Sequence, residues 1–296
     1  MDLVILAGGM GSRFGGDKQA TNIDSHGNFI MDYSIHDAIK AGFDKIVIII
    51  KPNLLDMCKK KYAYLAKKGK IEFAIQSNDD VLALKKFGIN REKPLGTAHA
   101  ILCAKPFVHE NFCIVNADDF YGKSSYQTAY NFLKKADPNS MNFALVGYKL
   151  ENTLSENGAV KRGVCELKNG FVESITESKI SVQNGKVQIV KLLDGEQIAY
   201  HKDMLVSMNM FCLTPKVFEY LEKDFDEFCS NKENLQNKEF LIPEVLGNLC
   251  LQNKATMWIL KTHEKWIGMT YKEDLPKVRR ELEQLSNQEE YPENLF

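Results

Sequence analysis

The chain has 296 residues, of which 44% are apolar and 26% are charged, which is ordinary for a globular protein. Its formal net charge of −1 provides no overall attraction to nucleic acid or to an anionic membrane. No apolar run reaches the roughly 20 residues that a membrane span needs, and the start of the chain is unlike a signal peptide. We therefore expect a cytoplasmic protein that binds neither nucleic acid nor membrane.

The cysteines argue against two further classes of protein. They are odd in number, are scattered, and never form a C-x-x-C pair, which disfavours a disulfide framework and a structural zinc site. Several lie inside apolar runs, so we interpret them as small buried hydrophobic residues. The seven are Cys58, Cys103, Cys113, Cys165, Cys212, Cys229 and Cys250.

Strand and helix signals alternate through the first half of the chain. The strands are predicted over 4–6, 45–50, 71–75, 112–116 and 142–148, and the helices over 32–41, 54–67, 97–104 and 126–135. Nearly unbroken β-branched runs such as 45–50 are typical of strands that are covered on both faces. The alternation predicts an α/β fold with a doubly wound, mostly parallel, Rossmann-like sheet.

The pattern changes after residue 150. Short stretches punctuated by glycine, over 163–167, 171–175 and 187–190, predict a β-rich insertion of antiparallel strands. A core strand over 205–213 and a helix over 215–228 follow. A charged helix over 275–285 leads to ten last residues that we expect to be frayed. Because no linker interrupts the sequence, we predict a single domain.

A glycine-rich loop follows the first strand. Five glycines fall within residues 6–16, which allows tight turns and a nest of N–H groups that binds anions. Arg13 and Lys18 add positive charge suited to a triphosphate. The loop is not a Walker motif, since no Gly-Lys-Ser/Thr closes it, nor a dinucleotide fingerprint, because Phe14 occupies the third glycine position. It predicts a phosphate-binding site.

This loop resembles the signature of sugar-phosphate nucleotidylyltransferases, L-A-G-G-x-G-x-R followed shortly by a lysine. Further landmarks follow in order, with Gln76 after a strand, P-L-G-T-A at 94–98 and N-A-D-D-F-Y-G at 116–122. The resemblance covers residues 1 to about 215, and more weakly to about 280. It implies a nucleotide-binding half (1–150), a sugar-binding part (151–240) and a C-terminal extension with helices (241–296), and Mg²⁺ as the cofactor.

The resemblance also assigns roles on the nucleotide side. Lys18 would neutralise the α-phosphate during attack, and Arg13 would do so for departing pyrophosphate. Gln76 and Gly96 would read the base edge, and an amide suits uracil or thymine because it offers a donor and an acceptor. The remaining nucleotide contacts would come from Leu6, Ala7, Gly8, Gly9, Gly11, Ser12 and Thr97.

On the acceptor side, Asp118 would ligate the metal, since its hard carboxylate lies just past a strand. Asp119 is the alternative ligand. Three residues would contact the sugar, namely Gly158, Glu177 and Asn209, and Asn209 is a polar residue inside an apolar run.

Two departures from the family pattern concern the acceptor phosphate and the metal. Relatives place a lysine directly after the glutamate, whereas here it comes one residue later at Lys179, so Lys161 or Arg162 are alternatives. Relatives also place a second metal ligand, Asp or Asn, just after a tryptophan. Residues 265–270 around Trp266 contain no carboxylate, so a different residue, or water and phosphate, would complete the coordination.

The resulting hypothesis is Mg²⁺-dependent transfer of a nucleotidyl group, from UTP or dTTP, to a sugar 1-phosphate. The sugar phosphate oxygen would attack the α-phosphorus in line, so positioning and charge neutralisation would carry the rate. The alternatives are a CTP-dependent enzyme acting on a non-sugar phosphate, and a non-catalytic regulatory protein that binds nucleotide sugars. A homo-oligomer is an open option, and the expected partners are small-molecule substrates.

Overall fold

An eleven-stranded sheet forms the centre of the computed structural model, which describes residues 1–9, 21–155, 158–269, 272–288, 290–292 and 294–296. Two further short strands, β5 and β13, pair with each other. In chain order the strands are β1 (Asp2–Ala7), β2 (Lys45–Ile50), β3 (Ile71–Ile75), β4 (Phe112–Asn116), β5 (Asp119–Phe120), β6 (Asn142–Lys149), β7 (Val160–Lys168), β8 (Phe171–Gln183), β9 (Lys186–Lys191), β10 (Gln197–Ile198), β11 (Leu205–Leu213), β12 (Thr256–Thr262) and β13 (Ile267–Gly268).

Helices connect most of these strands. They are α1 (Ile30–Ala41), α2 (Leu55–Lys61), α3 (Ala63–Lys67), α4 (Leu82–Lys86), α5 (Thr97–Ala104), α6 (Lys123–Leu133), α7 (Val217–Ser230), α8 (Lys232–Asn237), α9 (Ile242–Leu251) and α10 (Leu275–Asn287). Within the described residues, no helix combines the length and the apolar character needed to cross a membrane.

The strand order is β10-β9-β8-β12-β6-β11-β4-β1-β2-β3, with β7 paired to both β8 and β11. Strands β3, β2, β1 and β4 are mutually parallel, and β12 is parallel to β6. Strand β11 runs antiparallel between β4 and β6. The order reverses between β1 and β4, which is the place where sheets of this type bind ligands beyond the carboxyl ends of their strands.

Two apolar clusters lie on opposite faces of the sheet. Leu3 and Ile5 of β1 pack in one cluster with α1, α2 and α6, whereas Val4 packs in the other with α5, α7 and α9. Adjacent residues of a strand point to opposite faces, so the apolar run of β1 serves both clusters. The prediction of an α/β fold from strand and helix alternation is confirmed. The expectation of a mostly parallel sheet is wrong, because β7, β8, β9, β10 and β11 pair with their neighbours in antiparallel orientation.

The structure differs from the predicted elements in the helix over 54–67, which is two helices that meet at Tyr62. The backbone of Tyr62 leaves the helical region, with φ −100° and ψ 18°. Its ring is buried and its hydroxyl donates to Asp32 of α1. This buried polar contact sets the ring's position, so the helix breaks where the tyrosine turns inward.

The last part of the chain contributes more than the predicted helices. Strand β12 lies inside the sheet between β6 and β8. The expectation of a frayed end is wrong for the described terminal residues, because Tyr291 and Leu295 are buried. The Tyr291 hydroxyl donates to Asp37 Oδ2 at 2.7 Å, and its ring packs edge-on against Phe120 of β5. The C-terminal segment therefore packs behind the turn that carries Asp118.

Candidate active site

The candidate site lies beyond the carboxyl ends of β1, β3 and β4. In the register of β1 and β4, Leu6 is opposite Asn116, and the Ala117 N–H donates to the Leu6 carbonyl at 3.1 Å. Gly8 and Gly9 follow β1, Gln76 follows β3, and Asp118 follows β4. Parallel strands bring these three segments to one edge of the sheet because their carboxyl ends share a direction.

A cleft of about 430 Å³ opens at this edge. It brings together six residues that were predicted to contact the nucleotide, while Ala7 is buried beneath them. The predicted residues in its wall are Leu6, Gly8, Gly9, Gln76, Gly96 and Thr97. Glu92, Lys93, Pro94, Ala100 and Glu239 complete the wall. The predictions for Gly11, Ser12, Arg13 and Lys18 fall outside the described residues.

Gln76 is fixed at the floor of this cleft. Its backbone N–H donates to the Ile50 carbonyl at 2.9 Å, which continues the β2–β3 ladder by one residue. Its side chain is 7% exposed, and Nε2 donates to the Gly96 carbonyl at 3.0 Å. Gly8 lies directly against the amide, since a Cβ at that position would overlap Gln76 Oε1. The cleft therefore places a rigid side-chain amide next to bare backbone.

Position 96 can accommodate only glycine. Its φ is +122°, and a Cβ there would overlap the backbone of Phe240. Leu95 accepts a hydrogen bond from the Phe240 N–H at 2.6 Å, and the Phe240 carbonyl accepts one from Ala98 at 3.0 Å. Thr97 Oγ1 accepts from the Ile242 N–H at 3.0 Å. Residues 240–242, which the sequence analysis did not select, thus hold the start of α5 in place.

His99 of α5 lies beneath Gln76 and was also not selected from the sequence. The ring is 5% exposed and stacks on Phe225 with centroids 5.0 Å apart. Burial lowers the pKa of His99 to about 4, against a smaller opposing effect of Asp80. Nδ1 lies 3.5 Å from Gln76 Nε2, and Nε2 lies 3.8 Å from Cys103 Sγ. The ring is therefore neutral at physiological pH and contacts the amide in the cleft.

This buried ring predicts a specific loss of stability in acid. Between the unfolded histidine pKa of about 6.5 and the folded value of about 4, the unfolded chain binds more protons at His99 than the folded chain does. The free energy of unfolding should therefore fall as the pH drops through this window, by about 2 kcal/mol between pH 7.5 and pH 5. Urea unfolding of wild type and His99→Asn at both pH values measures it. The decline should be smaller in the variant by that amount, and equal declines would contradict the expectation.

Two adjacent carboxylates follow β4, and they differ in environment. Asp118 is half-buried on the turn between β4 and β5. Asp119 is 7% exposed, and its Oδ2 accepts from Asn116 Nδ2 at 2.9 Å. Gly268 of β13 pairs with Asp119, and a Cβ on Gly268 would lie 2.8 Å from Asp119 Oδ1. The Asp119 carboxylate thus fills the space beside Gly268 on β13.

A buried tyrosine ties the Asp118 turn to β11. The Tyr121 hydroxyl accepts from the Asn116 N–H at 2.9 Å and donates to the Met208 carbonyl at 2.8 Å. The next residue along β11 is Asn209, which has φ +60° and sits where the register with β6 shifts. Such a bulge re-aims a side chain, and asparagine tolerates the left-handed region better than most residues do. The predicted metal and sugar residues are therefore linked through Tyr121.

The predicted sugar residue Glu177 lies beside β11 across one strand. Gly163 of β7 pairs with both Ser207 and Glu177, and a Cβ on it would lie 3.3 Å from Ser207 Cβ and from Glu177 Oε1. The Glu177 side chain reaches solvent. Partial removal of its carboxyl from water raises the pKa of that group, and the positive charges of Lys161 and Arg162 partly offset this increase. The sheet thus aligns Glu177 with the strand that carries Asn209. Gly158, with φ +149°, is exposed just before β7.

The three basic residues that could bind the acceptor phosphate lie on two different faces of the β7–β8 pair. Lys179 is exposed on the same face as Glu177, and it pairs with exposed Lys161. Arg162 lies on the opposite, buried face and donates to the carbonyls of Lys161 at 2.9 Å and Thr153 at 2.7 Å. Burial lowers the pKa of Arg162 to about 10, which leaves it charged.

Arg162 is also held by an aromatic contact. Its guanidinium carbon lies 4.2 Å from the ring centroid of Trp266, a cation–π contact. Trp266 immediately precedes β13, whose Gly268 pairs with Asp119. The charge of Arg162 therefore packs against the segment that covers the Asp118–Asp119 turn.

The fit of a divalent cation depends on Asp118. Across the part of the chain that the structure describes, no group of three or more His, Cys, Asp or Glu side chains is arranged to hold a metal. A single carboxylate together with phosphate and water oxygens still matches the coordination that Mg²⁺ prefers beside nucleotides. Asp118 fits this role, because it is the more accessible of the two carboxylates at the edge of the sheet that holds the cleft.

Comparison with known proteins decides the family. A family model described as nucleotidyl transferase matches residues 3–267. The chain belongs to the nucleotidyl transferase family. The resemblance carried by the glycine-rich loop and the 116–122 segment is thereby confirmed, and the members of this family are nucleotidyltransferase enzymes.

Curated relatives are similar over much of the chain. The bifunctional protein GlmU of Methanococcus vannielii is 23% identical over 282 residues, covering 87% of this chain and 59% of that protein. Its counterpart from Methanococcus maripaludis is 24% identical over 213 residues, covering 65% of this chain and 46% of that protein. The chain thus spans about half the length of these relatives.

Solved structures share the fold. An inositol-1-phosphate CTP transferase from T. maritima superposes with a TM-score of 0.61 at 15% identity, covering 96% of both chains. A structure from Bacillus anthracis, described as a glucose-1-phosphate thymidylyltransferase in complex with sucrose, gives a TM-score of 0.64 at 14% identity. It covers 95% of this chain and 94% of that one. These likenesses support the Rossmann-like α/β architecture.

Proposed function

We propose that the chain transfers a nucleotidyl group from UTP or dTTP to a sugar 1-phosphate, giving a nucleoside diphosphate sugar and pyrophosphate. The observation that carries this proposal is the cleft in which Gly8, Gln76 and Gly96 converge, on the same edge of the sheet as Asp118. Bare backbone at Gly8 suits close approach by a flat base, and the fixed amide of Gln76 supplies polar recognition.

The proposed reaction depends mainly on correct positioning of the two substrates. A phosphate oxygen of the acceptor attacks the α-phosphorus in line while pyrophosphate leaves, so no covalent intermediate on the protein is required. Arg13 and Lys18 of the glycine-rich loop would neutralise the triphosphate as charge develops. Asp118 would hold Mg²⁺, which would balance phosphate charge when bound. Tyr121 fixes the turn on which Asp118 stands.

The acceptor would bind where β8, β7 and β11 meet. Glu177 would accept hydrogen bonds from sugar hydroxyls, and Asn209 would contribute its amide from the bulge of β11. Gly158 would allow close backbone approach, and Lys179, on the same face as Glu177, is the proposed phosphate contact. The division into a nucleotide half (1–150), a sugar part (151–240) and a C-terminal extension (241–296) belongs to the same proposal, as do a cytoplasmic location and any homo-oligomer.

A second candidate is a CTP-dependent enzyme acting on a non-sugar phosphate. The similarity to the inositol-1-phosphate CTP transferase from T. maritima, which spans 96% of both chains, favours keeping it. The position of Glu177 beside the β11 strand favours a polyhydroxylated acceptor in either case. Membership of an enzyme family speaks against a non-catalytic nucleotide-sugar binder.

A thermal-shift screen with Mg²⁺ tests the nucleotide side of the proposal. A ligand present at 100 times its Kd stabilises the folded chain by about 2.7 kcal/mol. UTP or dTTP should therefore raise the Tm of wild type more than ATP or GTP does. Gln76→Ala should lose most of this shift, whereas Gln252→Ala, an exposed glutamine outside the cleft, should keep it. A larger shift with purine nucleotides, or an unchanged shift in Gln76→Ala, would count against the proposal.

A further inference from the structure

The orientation of the Gln76 amide is fixed by its neighbours. Gly96 offers a carbonyl oxygen at 3.0 Å, which accepts but does not donate, so the amide nitrogen must face it. The amide oxygen then lies on the opposite side, next to Gly8, where a Cβ would overlap it. The reversed orientation would bring two oxygens together at Gly96 and is disfavoured.

His99 takes the second proton of the same amide nitrogen. Its Nδ1 is 3.5 Å from Gln76 Nε2, which has protons and no lone pair to offer, so Nδ1 must be the acceptor. The single proton of the neutral ring then sits on Nε2, toward Cys103 Sγ at 3.8 Å. Stacking on Phe225 holds the ring in this plane. The lowered pKa of His99, about 4, agrees with a neutral ring.

The amide nitrogen of Gln76 is consequently hydrogen-bonded to groups of the protein itself. Both protons of Nε2 are directed to Gly96 and His99, and the carbonyl oxygen beside Gly8 remains for a ligand in the cleft. The resemblance implied that Gln76 offers the base both a donor and an acceptor, whereas the structure leaves only the acceptor. An acceptor alone complements the protonated ring nitrogen N3 of uracil or thymine, whereas N3 of cytosine carries a lone pair that would face the amide oxygen.

We infer that His99 is a positioning residue for Gln76, and that the pair selects uracil or thymine nucleotides over cytosine nucleotides. This inference rests on the proposed function, since it concerns the nucleotide that the enzyme uses. His99 itself does not touch the substrate. It acts by keeping the amide of Gln76 from turning its nitrogen toward the base.

The test is the ratio of kcat/KM for UTP to that for CTP in four variants. His99→Phe keeps an aromatic ring against Phe225 but removes the acceptor, and should lower the ratio about tenfold. His99→Asn places an oxygen at the level of Nδ1 and should keep the ratio, whereas His99→Gln moves its polar group further out and should lower it. Phe225→Leu removes the stacked ring but leaves the hydrogen-bonding atoms of His99 in place, and should lower the ratio by less than His99→Phe does.

The outcomes separate this inference from the proposed function. Absence of turnover with any nucleoside triphosphate in wild type would reject the proposed function. A wild-type preference for CTP would overturn the inference and the choice of UTP or dTTP as donor, while leaving nucleotidyl transfer itself intact. Equal ratios in wild type, His99→Gln and His99→Phe would also overturn it, as would a drop in Phe225→Leu as large as that in His99→Phe. If His99→Phe does not fold, the contrast between His99→Asn and His99→Gln decides.

Discussion

Replacing Asp118 with asparagine is expected to lower kcat/KM by about 1000-fold or more while leaving the fold intact. Asparagine preserves the shape of the side chain but not the charge that a divalent cation needs, and loss of such electrostatic stabilisation typically costs two to three orders of magnitude or more. Because Asp118 is half-buried on a turn, its replacement should leave the Tm close to that of wild type. Steady-state kinetics with Mg²⁺, together with thermal unfolding, measure both quantities.

Asp119→Asn is the matched control. Asp119 is buried and accepts from Asn116, and an amide oxygen at position 119 would still accept that hydrogen bond. We expect this variant to retain activity within about tenfold of wild type. Near-normal turnover in Asp118→Asn would contradict the assignment. A severe loss of activity confined to Asp119→Asn would indicate that Asp119, and not Asp118, ligates the metal.

Gly96→Ala is expected to destabilise the fold by about 3 kcal/mol or more and to abolish nucleotide binding. Its φ of +122° is unfavourable for alanine, and the added methyl group would overlap the Phe240 backbone, which cannot rotate away. Relief requires that the start of α5 separate from residues 240–242, and this breaks the hydrogen bonds that position the cleft. Urea unfolding gives the change in free energy, and nucleotide titration gives the change in Kd.

Gly247→Ala controls for the type of substitution. Gly247 lies inside α9, and a Cβ there would meet nothing within 4 Å. Alanine should therefore stabilise the helix, by about 0.5–1 kcal/mol, through its higher helix propensity. The two glycine-to-alanine changes should thus have opposite signs. A Gly96→Ala variant as stable as wild type would refute the close packing against Phe240.

The elements that could be predicted from sequence are those with a strong local pattern. The run over 45–50 is almost entirely β-branched, and it is strand β2 with the predicted bounds. Gly42 ends α1 with φ 111°, and its N–H bonds to Ala38 and Ile39, as its position after an amphipathic helix indicated. In such segments the local preference and the tertiary packing agree, so the pattern was sufficient.

Strand β12 shows where local pattern was insufficient. Its residues Thr256–Thr262 have a mixed exposure pattern, with Trp258 at 43% exposed. The strand is defined by its parallel partner β6, more than 100 residues earlier in the chain. Sequence alone does not specify which distant segment will pair with it, and β propensity depends strongly on that context.

Some residues of the candidate site could likewise be predicted from sequence, whereas others could not. Gln76 and Asp118 directly follow strands, and Gly96 stands in the P-L-G-T-A motif that begins α5, so a local pattern marks each of them. The residues that hold the site in position do not belong to a sequence motif. Examples are the Phe240 backbone and the His99 ring. A buried histidine inside an apolar helix resembles a core residue, so its contact with Gln76 could be found only from the packing of α5 against β3.

Pyrophosphate release, with the nucleoside triphosphate, the sugar 1-phosphate and Mg²⁺ each omitted in turn, tests the central claim most directly. Nucleotidyl transfer to a sugar phosphate predicts release that requires all three components and is fastest with UTP or dTTP. Release that is independent of the sugar phosphate would indicate hydrolysis instead. Absence of release with every combination of nucleoside triphosphate and sugar phosphate would contradict the proposed function.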